Sequence, residues 1–155
     1  VGGDLPLVMV GGAPYAGKFI ASFSRGADPR IVFPGAIYGD GYRELLSHAL
    51  AYVHATEVGG THPALVEAMG YGNCILVNGT PENREVAGGI GLYFDATKPA
   101  ELAAGLEWVR NHPVQARARG RAAARRAQLL FSWERVTDRY AALLERLAGG
   151  RSGGA

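Results

Sequence analysis

The chain has 155 residues, of which 48% are hydrophobic, and its mean hydropathy is +0.01, a composition typical of one globular domain. No apolar run approaches the roughly 18 residues that a membrane-spanning helix needs. The net charge of +2 provides no electrostatic basis for nucleic-acid binding, so we expect no nucleic-acid partner.

Five short apolar runs bounded by glycine or proline are predicted to be strands buried on both faces. They lie at 5–12, 30–37, 50–55, 74–79 and 91–96. Helical patterns fit between them at 16–24, 42–49, 62–71 and 81–86. This alternation predicts an α/β fold, Rossmann-like and doubly wound, with a mainly parallel sheet and helices on both faces. Ligand sites in such folds lie at the carboxyl ends of the strands.

The last third of the chain is predicted to be helical, at 99–111, 114–130 and from Trp133 onwards. Ser132 is the predicted N-cap of the final helix, which Gly149 ends. We expect one domain over 1–148 and a disordered tail at 149–155. The first residue is valine and the last seven are GGRSGGA, which fits a piece of a longer protein.

The single cysteine, Cys74, lies in the apolar run CILVN and is predicted to be a buried thiol in a reducing compartment. We therefore expect a cytoplasmic protein. The four histidines and this cysteine lack the spacing of metal ligands, so no metal site is predicted.

Five arginines cluster in the predicted helix 114–130, at positions 117, 119, 121, 125 and 126. Arg117, Arg121 and Arg125 share one helical face because they are four residues apart. Two interpretations remain open for this face. It is either a solvated surface or a peripheral contact with anionic lipid at the inner face of the membrane.

The stretch EVGGTHPALVEAMGYG carries the strongest chemical signal. Gly59 and Gly60 allow a ligand to approach the backbone, Thr61 is a predicted N-cap, and Pro63 suits the first helical turn. A helix start of this kind can bind a pyrophosphate. Glu67 returns to the face of Pro63 about 6 Å further along the axis, where a carboxylate can accept both ribose hydroxyls. A surface glutamate on an ordinary helix is the alternative.

The run ALVEAMGYGNCILVNGTPENREVAGGIGLYF resembles the signature of the family 4 glycosyltransferases, which reads roughly EGFG-x-P-x-x-EAMA followed by P-E and G-x-L-F. VMVGG, IVFPGAIYGDGYRELLSHALAYVHAT and FSWERVTDRYAALL resemble other family landmarks in the same order. The resemblance covers about positions 7 to 147. The motif VGGTHPALVEAM, followed downstream by NREV, is most similar to the corresponding sequence of bacterial rhamnosyltransferases from surface-polysaccharide pathways.

The resemblance implies the carboxyl-terminal half of a GT-B enzyme, which holds a nucleoside-diphosphate sugar for attack by an acceptor hydroxyl, with retention of configuration. An amino-terminal acceptor-binding domain would then lie outside this chain. No metal is implied, because the helix start and basic side chains neutralise the leaving diphosphate.

Site residues follow from the resemblance one by one. Glu67 matches the ribose-binding glutamate, and Lys18 is the counterpart of the basic residues that grip the diphosphate together with Gly59, Gly60 and Thr61. Ile37 and Tyr38 fall where the nucleobase is bound. A solvent-facing lysine and a strand-end aromatic packed on the core are the alternatives for Lys18 and Tyr38. The family's first glutamate falls on Gly59, so the sugar contact is open, with Glu57, His62 or the backbone of Gly59 to Thr61 as candidates. His54 is interpreted as a core or loop residue, and no catalytic residue is assigned.

Two alternatives belong to other functional classes. A sugar-nucleotide epimerase of GT-B architecture would need acids and a histidine arranged for proton abstraction. A non-catalytic Rossmann-like nucleotide-binding module of the receiver type would need an acidic cluster at the end of the first strand, and VMVGGAP has none. The closing helix, with its S-W…Y pattern, favours the glycosyltransferase over the epimerase.

Overall fold

The computed structural model describes residues 3–12, 15, 17–24 and 27–149. The chain divides into two compact units, Val1–His48 and Ala49–Ala155. Strands and helices alternate in both units, and every strand pairing is parallel. The predicted α/β class is therefore confirmed. The predicted tail lies outside the described residues beyond Gly149, and the single domain over 1–148 stays a prediction.

The first unit contains two strands and two helices. In chain order they are β1 (Leu7–Val10), α1 (Gly17–Ser24), β2 (Ile31–Gly35) and α2 (Asp40–His48). β1 and β2 pair in register at Leu7↔Ile31, with a shift between Val8 and Val10. The side chains of β1 are 36–46% exposed, so the predicted burial on both faces is wrong for this strand. β1 has a single strand neighbour, β2, which leaves its other edge without a partner in this sheet.

The second unit holds a three-stranded parallel sheet and the remaining helices. Its elements are β3 (Ala51–His54), α3 (Pro63–Gly70), β4 (Cys74–Asn78), α4 (Pro81–Ala87), a 3₁₀ turn (Gly88–Ile90), β5 (Leu92–Phe94), α5 (Pro99–Asn111), α6 (Pro113–Phe131) and α7 (Trp133–Gly149). The strand order is β3-β4-β5. The register pairs His54 with Val77 and Asn78 with Phe94, so the three strands end at one edge of the sheet.

β4 is the buried centre of the second unit. All five of its residues are buried, because it has a strand on each side and helices α3, α4, α5 and α6 pack against it. Cys74 is buried as predicted, and burial raises the pKa of its thiol. Cys74 and Leu76 share a hydrophobic cluster with Phe94, Val109 and Ala116.

Helix α6 approaches the core with small residues. Its buried face consists of Ala116, Gly120, Ala123 and Ala127. A Cβ atom at Gly120 would lie 1.9 Å from the carbonyl oxygen of Gly72, which leaves no room for any side chain. Gly72 itself has a φ of +79°, a conformation that glycine adopts without strain. The turn between α3 and β4 therefore depends on glycine on both sides of this contact.

The final helix, α7, begins after Ser132, whose hydroxyl accepts a hydrogen bond from the backbone N–H of Arg135 at 3.3 Å. This confirms the predicted N-cap. No residue of α7 is buried, and Trp133 is 83% exposed. The large apolar side chains of α7 therefore lie outside the core of this unit.

The contact between Gly120 and Gly72 generates a first prediction. Gly120→Ala should destabilise the fold by about 1–3 kcal/mol or more, because the backbone of α6 or of the turn must move to admit a methyl group. Gly70→Ala is the matched control: its Cβ would meet nothing within 4 Å, and it ends helix α3. Denaturant unfolding of both variants measures the difference. Equal stability of the two variants would contradict the packing described.

Candidate functional site

Two asparagines connect the loops at the carboxyl edge of the second sheet. The Asn78 side chain donates to the carbonyl of Thr56, after β3, at 3.3 Å and accepts from the N–H of Ala96, after β5, at 3.1 Å. The Asn83 amide of α4 donates to Thr56 at 3.3 Å and to the Asn78 carbonyl at 3.1 Å. Both asparagines are buried, so their amides depend on these protein partners for hydrogen bonds. The loops after all three strands are therefore held together.

Neither Asn78 nor Asn83 is among the predicted site residues. The signal that points to them is chemical: an asparagine closes the otherwise apolar run CILVN, and a second lies within the helix pattern PENREV. A buried amide in such a place requires partners with backbone polar groups.

The loop between β3 and α3 brings the predicted diphosphate residues to the start of a helix. Gly59 has a φ of +133°, and a Cβ added to it would lie 2.8 Å from two atoms of the His62 ring. A Cβ at Gly60 would meet nothing within 4 Å, so the backbone there is open to a ligand. The glycines thus serve two purposes: Gly59 makes room for His62, and Gly60 leaves a surface accessible.

The N-cap of α3 is His62, with φ −85° and ψ 119°, so the prediction of Thr61 as N-cap is wrong. The physical reason is the proline at the next position. Pro63 occupies the first helical turn, and a residue before proline is driven to extended backbone angles. The His62 carbonyl accepts from the N–H groups of Leu65 and Val66, at 3.0 and 3.2 Å. The His62 side chain forms no capping hydrogen bond.

Glu67 lies on the exposed surface of α3. Its carboxylate acts on β3 as well: burial raises the pKa of Tyr52, and the charge of Glu67 raises it further. The structure therefore places Glu67 near Tyr52 of β3, a strand at the side of the sheet. Glu57, the other acid of this loop, is exposed to solvent.

Three aromatic rings lie in contact beside this helix start. Tyr52 and His54 lie with ring centroids 6.1 Å apart, and the His54 and His62 centroids are 4.8 Å apart at an interplanar angle of 57°. His54, the last residue of β3, is only 6% exposed. Its burial, and then the neighbouring His62, lower the pKa of His54. The interpretation of His54 as a plain core residue misses its contact with the helix N-cap.

The predicted residues of the first unit are exposed or half-buried. Lys18 is exposed in α1. Ile37 is half-buried and Tyr38 is 84% exposed, and both follow β2. The phenol ring of Tyr38 therefore has a face accessible to a planar ligand.

An open cleft of ≈ 370 Å³ borders Asn78 at the ends of β4 and β5. Arg84 from α4 crosses it: its Nε donates to the Gly79 carbonyl at 3.0 Å, and the guanidinium lies 4.3 Å from the centroid of the Tyr93 ring. On the opposite side Lys98 pairs with Asp95 at 3.0 Å. Hydrogen bonds from Thr97 and this lysine lower the pKa of Asp95 to about 2.

A family profile described as "Glycosyl transferases group 1" matches residues 2–112, which is more than half of the chain. The chain belongs to this family. A comparison with curated proteins finds no match. The family assignment confirms the predicted resemblance to glycosyltransferases at the level of the family.

Two solved structures share the fold of this glycosyl transferase group 1 chain. Sucrose-phosphate synthase from Thermosynechococcus elongatus aligns with a TM-score of 0.79 at 20% sequence identity, over 93% of this chain and 39% of the synthase. HepE from Anabaena, whose structure is a complex with UDP, aligns with a TM-score of 0.83 at 16% identity, over 92% and 41% of the two chains. This chain thus spans about two fifths of the length of each.

The arginines of α6 divide into two groups. Arg119 donates to the Ile90 carbonyl at 3.1 Å, and Arg126 donates to the carbonyls of Val86 and Glu85 at 2.8 and 2.7 Å. Arg117, Arg121 and Arg125 are exposed, as the shared helical face predicts. The first group fixes α6 to the region around the 3₁₀ turn. The second is available to solvent or to an anionic surface.

The described part of the chain contains no group of three or more His, Cys, Asp or Glu residues that could hold a metal ion. Within the same residues no helix combines the length and the apolar character that crossing a bilayer requires.

The asparagine links generate a second prediction. Asn83→Ala should lower the free energy of unfolding by about 1–3 kcal/mol, because it leaves the carbonyls of Thr56 and Asn78 with fewer buried partners. Asn111→Ala, at the exposed end of α5, should change stability by less than about 0.5 kcal/mol. Chemical denaturation of the two variants gives both values. A loss in Asn83→Ala no larger than that in Asn111→Ala would show that the links are unimportant.

Proposed function

We propose that this chain is the donor-binding domain of a glycosyltransferase that moves a sugar from a nucleoside diphosphate to an acceptor hydroxyl. The observation that carries the proposal is the start of α3. An open glycine backbone, a helix N-terminus without a side-chain cap and an exposed carboxylate one turn further lie in sequence there. Membership of the glycosyl transferase group 1 family supports the reaction class.

In the proposed complex the diphosphate lies at Gly59, Gly60 and Thr61. The N–H groups and the dipole of the helix start attract an anion there. Lys18 stays a prediction of the family resemblance, as a compact positive charge for a diphosphate. The N–H groups of the helix start neutralise the departing diphosphate, and the proposal includes no metal.

The nucleoside extends from the diphosphate. Glu67 accepts hydrogen bonds from the ribose hydroxyls, about 6 Å along the helix from its first residue. The role of Ile37 and Tyr38 in binding the base stays a prediction of the family resemblance. The presence of UDP in the HepE complex supports a nucleoside diphosphate as the ligand class, although the low identity to HepE leaves the choice of base to experiment.

The wider proposal concerns the whole enzyme. Since the chain spans about two fifths of the two solved structures, we propose that the acceptor site belongs to a second domain outside these residues. We propose that the whole enzyme acts in polysaccharide or glycoconjugate synthesis and transfers the sugar with retention of configuration. Within the family, we propose that it is most similar to the rhamnosyltransferases. The exposed arginines Arg117, Arg121 and Arg125 support a peripheral contact with a membrane.

Nucleotide binding tests the proposal directly. A panel of UDP, GDP, dTDP and ADP at millimolar concentrations should include at least one that raises the melting temperature of the chain. A ligand present at about 100 times its dissociation constant stabilises the fold by about 2.7 kcal/mol. For a protein of this size that corresponds to about 2–4 °C per kcal/mol. Failure of all four nucleotides to bind would contradict the proposal.

Glu67 provides the matched test of the ribose contact. Glu67→Ala should weaken the best nucleotide by about tenfold or more, because it removes charged hydrogen-bond acceptors. Glu145→Ala, which removes an exposed glutamate of α7, should leave the affinity unchanged. Calorimetric titration of both variants measures the difference. Unchanged affinity in Glu67→Ala would exclude the ribose contact without excluding nucleotide binding elsewhere.

A further inference from the structure

His54 is a buried histidine with an unsatisfied nitrogen. It is 6% exposed, and its Nε2 is buried with no hydrogen-bond partner among the residues that the structure describes. A buried imidazole nitrogen without a partner is costly in a folded protein. The ring lies at the carboxyl end of β3 and packs against His62, the N-cap of α3. The unsatisfied nitrogen therefore belongs to a ring that contacts the start of the helix.

His62 occupies the space that a side chain at position 59 would need. An added Cβ at Gly59 would be 2.8 Å from Cε1 and from Nε2 of His62. Position 59 is also where the spacing of the family signature predicts a glutamate. An acceptor-only carboxylate is thus absent here, and an imidazole, which can donate as well as accept, lies next to the open backbone of Gly60.

The two rings have neighbours on three elements. His54 faces Tyr52 on its own strand and His62 at the start of α3, and the neighbouring strand β4 places the uncharged Val77 opposite it. Glu67 acts on Tyr52. Two imidazolium ions 4.8 Å apart would repel each other, and burial disfavours a charge on His54. Burial, and then the neighbouring His62, lower the pKa of His54, so a proton on the buried ring is disfavoured in the free chain.

We propose that His54 and His62 form a proton-accepting pair, which gains one proton from solvent when a nucleoside diphosphate binds at the start of α3. This inference rests on the proposed function. The protonated His62 donates a hydrogen bond to the diphosphate end of the ligand, and Nε2 of His54 accepts a hydrogen bond from the opposite side of that ring. His54 is thus a positioning residue, and no bond of the donor breaks in this step.

The proposal has a defined dependence on pH. The proton affinity of the pair is higher in the complex than in the free chain, so the extra affinity for the diphosphate is fully present below the pKa of the free pair. It is lost as pH rises through the pKa of the bound pair. A rise of about one pKa unit corresponds to about a tenfold gain in affinity.

Proton NMR titration of the four histidines, with and without UDP, tests the inference in the chain itself. Between about pH 5 and pH 9, UDP should raise the pKa of one ring of the pair by about one unit or more. His48 and His112 are internal controls and should not shift. Uridine, which lacks phosphate, should also produce no shift. Each ring is observed separately, so its protonation is measured directly.

Two substitutions assign the role of His54. His54→Phe keeps an aromatic ring and removes both nitrogens, so it should reduce the UDP-induced shift of His62 to less than half. His54→Gln, whose amide oxygen accepts a hydrogen bond, should restore most of it. An unchanged His62 shift in His54→Phe would overturn the role of His54.

The outcomes separate the inference from the proposed function. UDP binding without any shift of His54 or His62 would overturn the inference and leave nucleotide binding intact. The absence of UDP binding, together with failure of the other three nucleotides, would overturn both. If His54→Phe does not fold, the titration of the unmodified chain still decides, since it requires no variant.

Discussion

The carbonyl of Thr56 is the point on which the second unit depends. Two buried side-chain amides, from Asn78 and Asn83, converge on this one oxygen. Because Asn78 also accepts from Ala96, the loops that follow β3, β4 and β5 are joined through one side chain. A parallel sheet aligns its strand ends, but it does not by itself fix the loops beyond them. Here the amides do so, in a buried environment where hydrogen bonds are stronger than in water.

The rigidity of this edge explains how a short helix can present a site. α3 has only eight residues and begins at a proline, so its direction is set by the loop before it and by packing behind it. Leu65, Ala68 and Met69 anchor its inner face, while Glu67 stays on the outer face. The loop is constrained at Thr56 and the helix at its core face. Gly59, Gly60 and His62 lie between these two fixed points.

Much of this architecture follows from local patterns in the sequence. The apolar runs locate all five strands to within a few residues, and the turn residues locate the helices, because burial and backbone propensity are local properties. The N-cap of α3 was misplaced by one residue, since the effect of Pro63 on the residue before it outweighs the hydroxyl of Thr61. The link from Asn83 to Thr56 spans 27 residues, and the contact of the His54 and His62 rings joins a strand end to a helix start. A single sequence contains no periodic signal for either.

The family profile ends at an earlier residue than the folded second unit does. The family profile ends at His112, yet α6, which begins at the next residue, places Ala116, Ala123 and Ala127 in the core and approaches the α3–β4 turn at Gly120. Arg126 reaches back 40 residues to hold the Val86 carbonyl. A chain cut where the family signature stops would expose the buried face of β4 and lose these contacts. Helix α6, which lies outside the family profile, therefore completes the core of the segment that the profile matches.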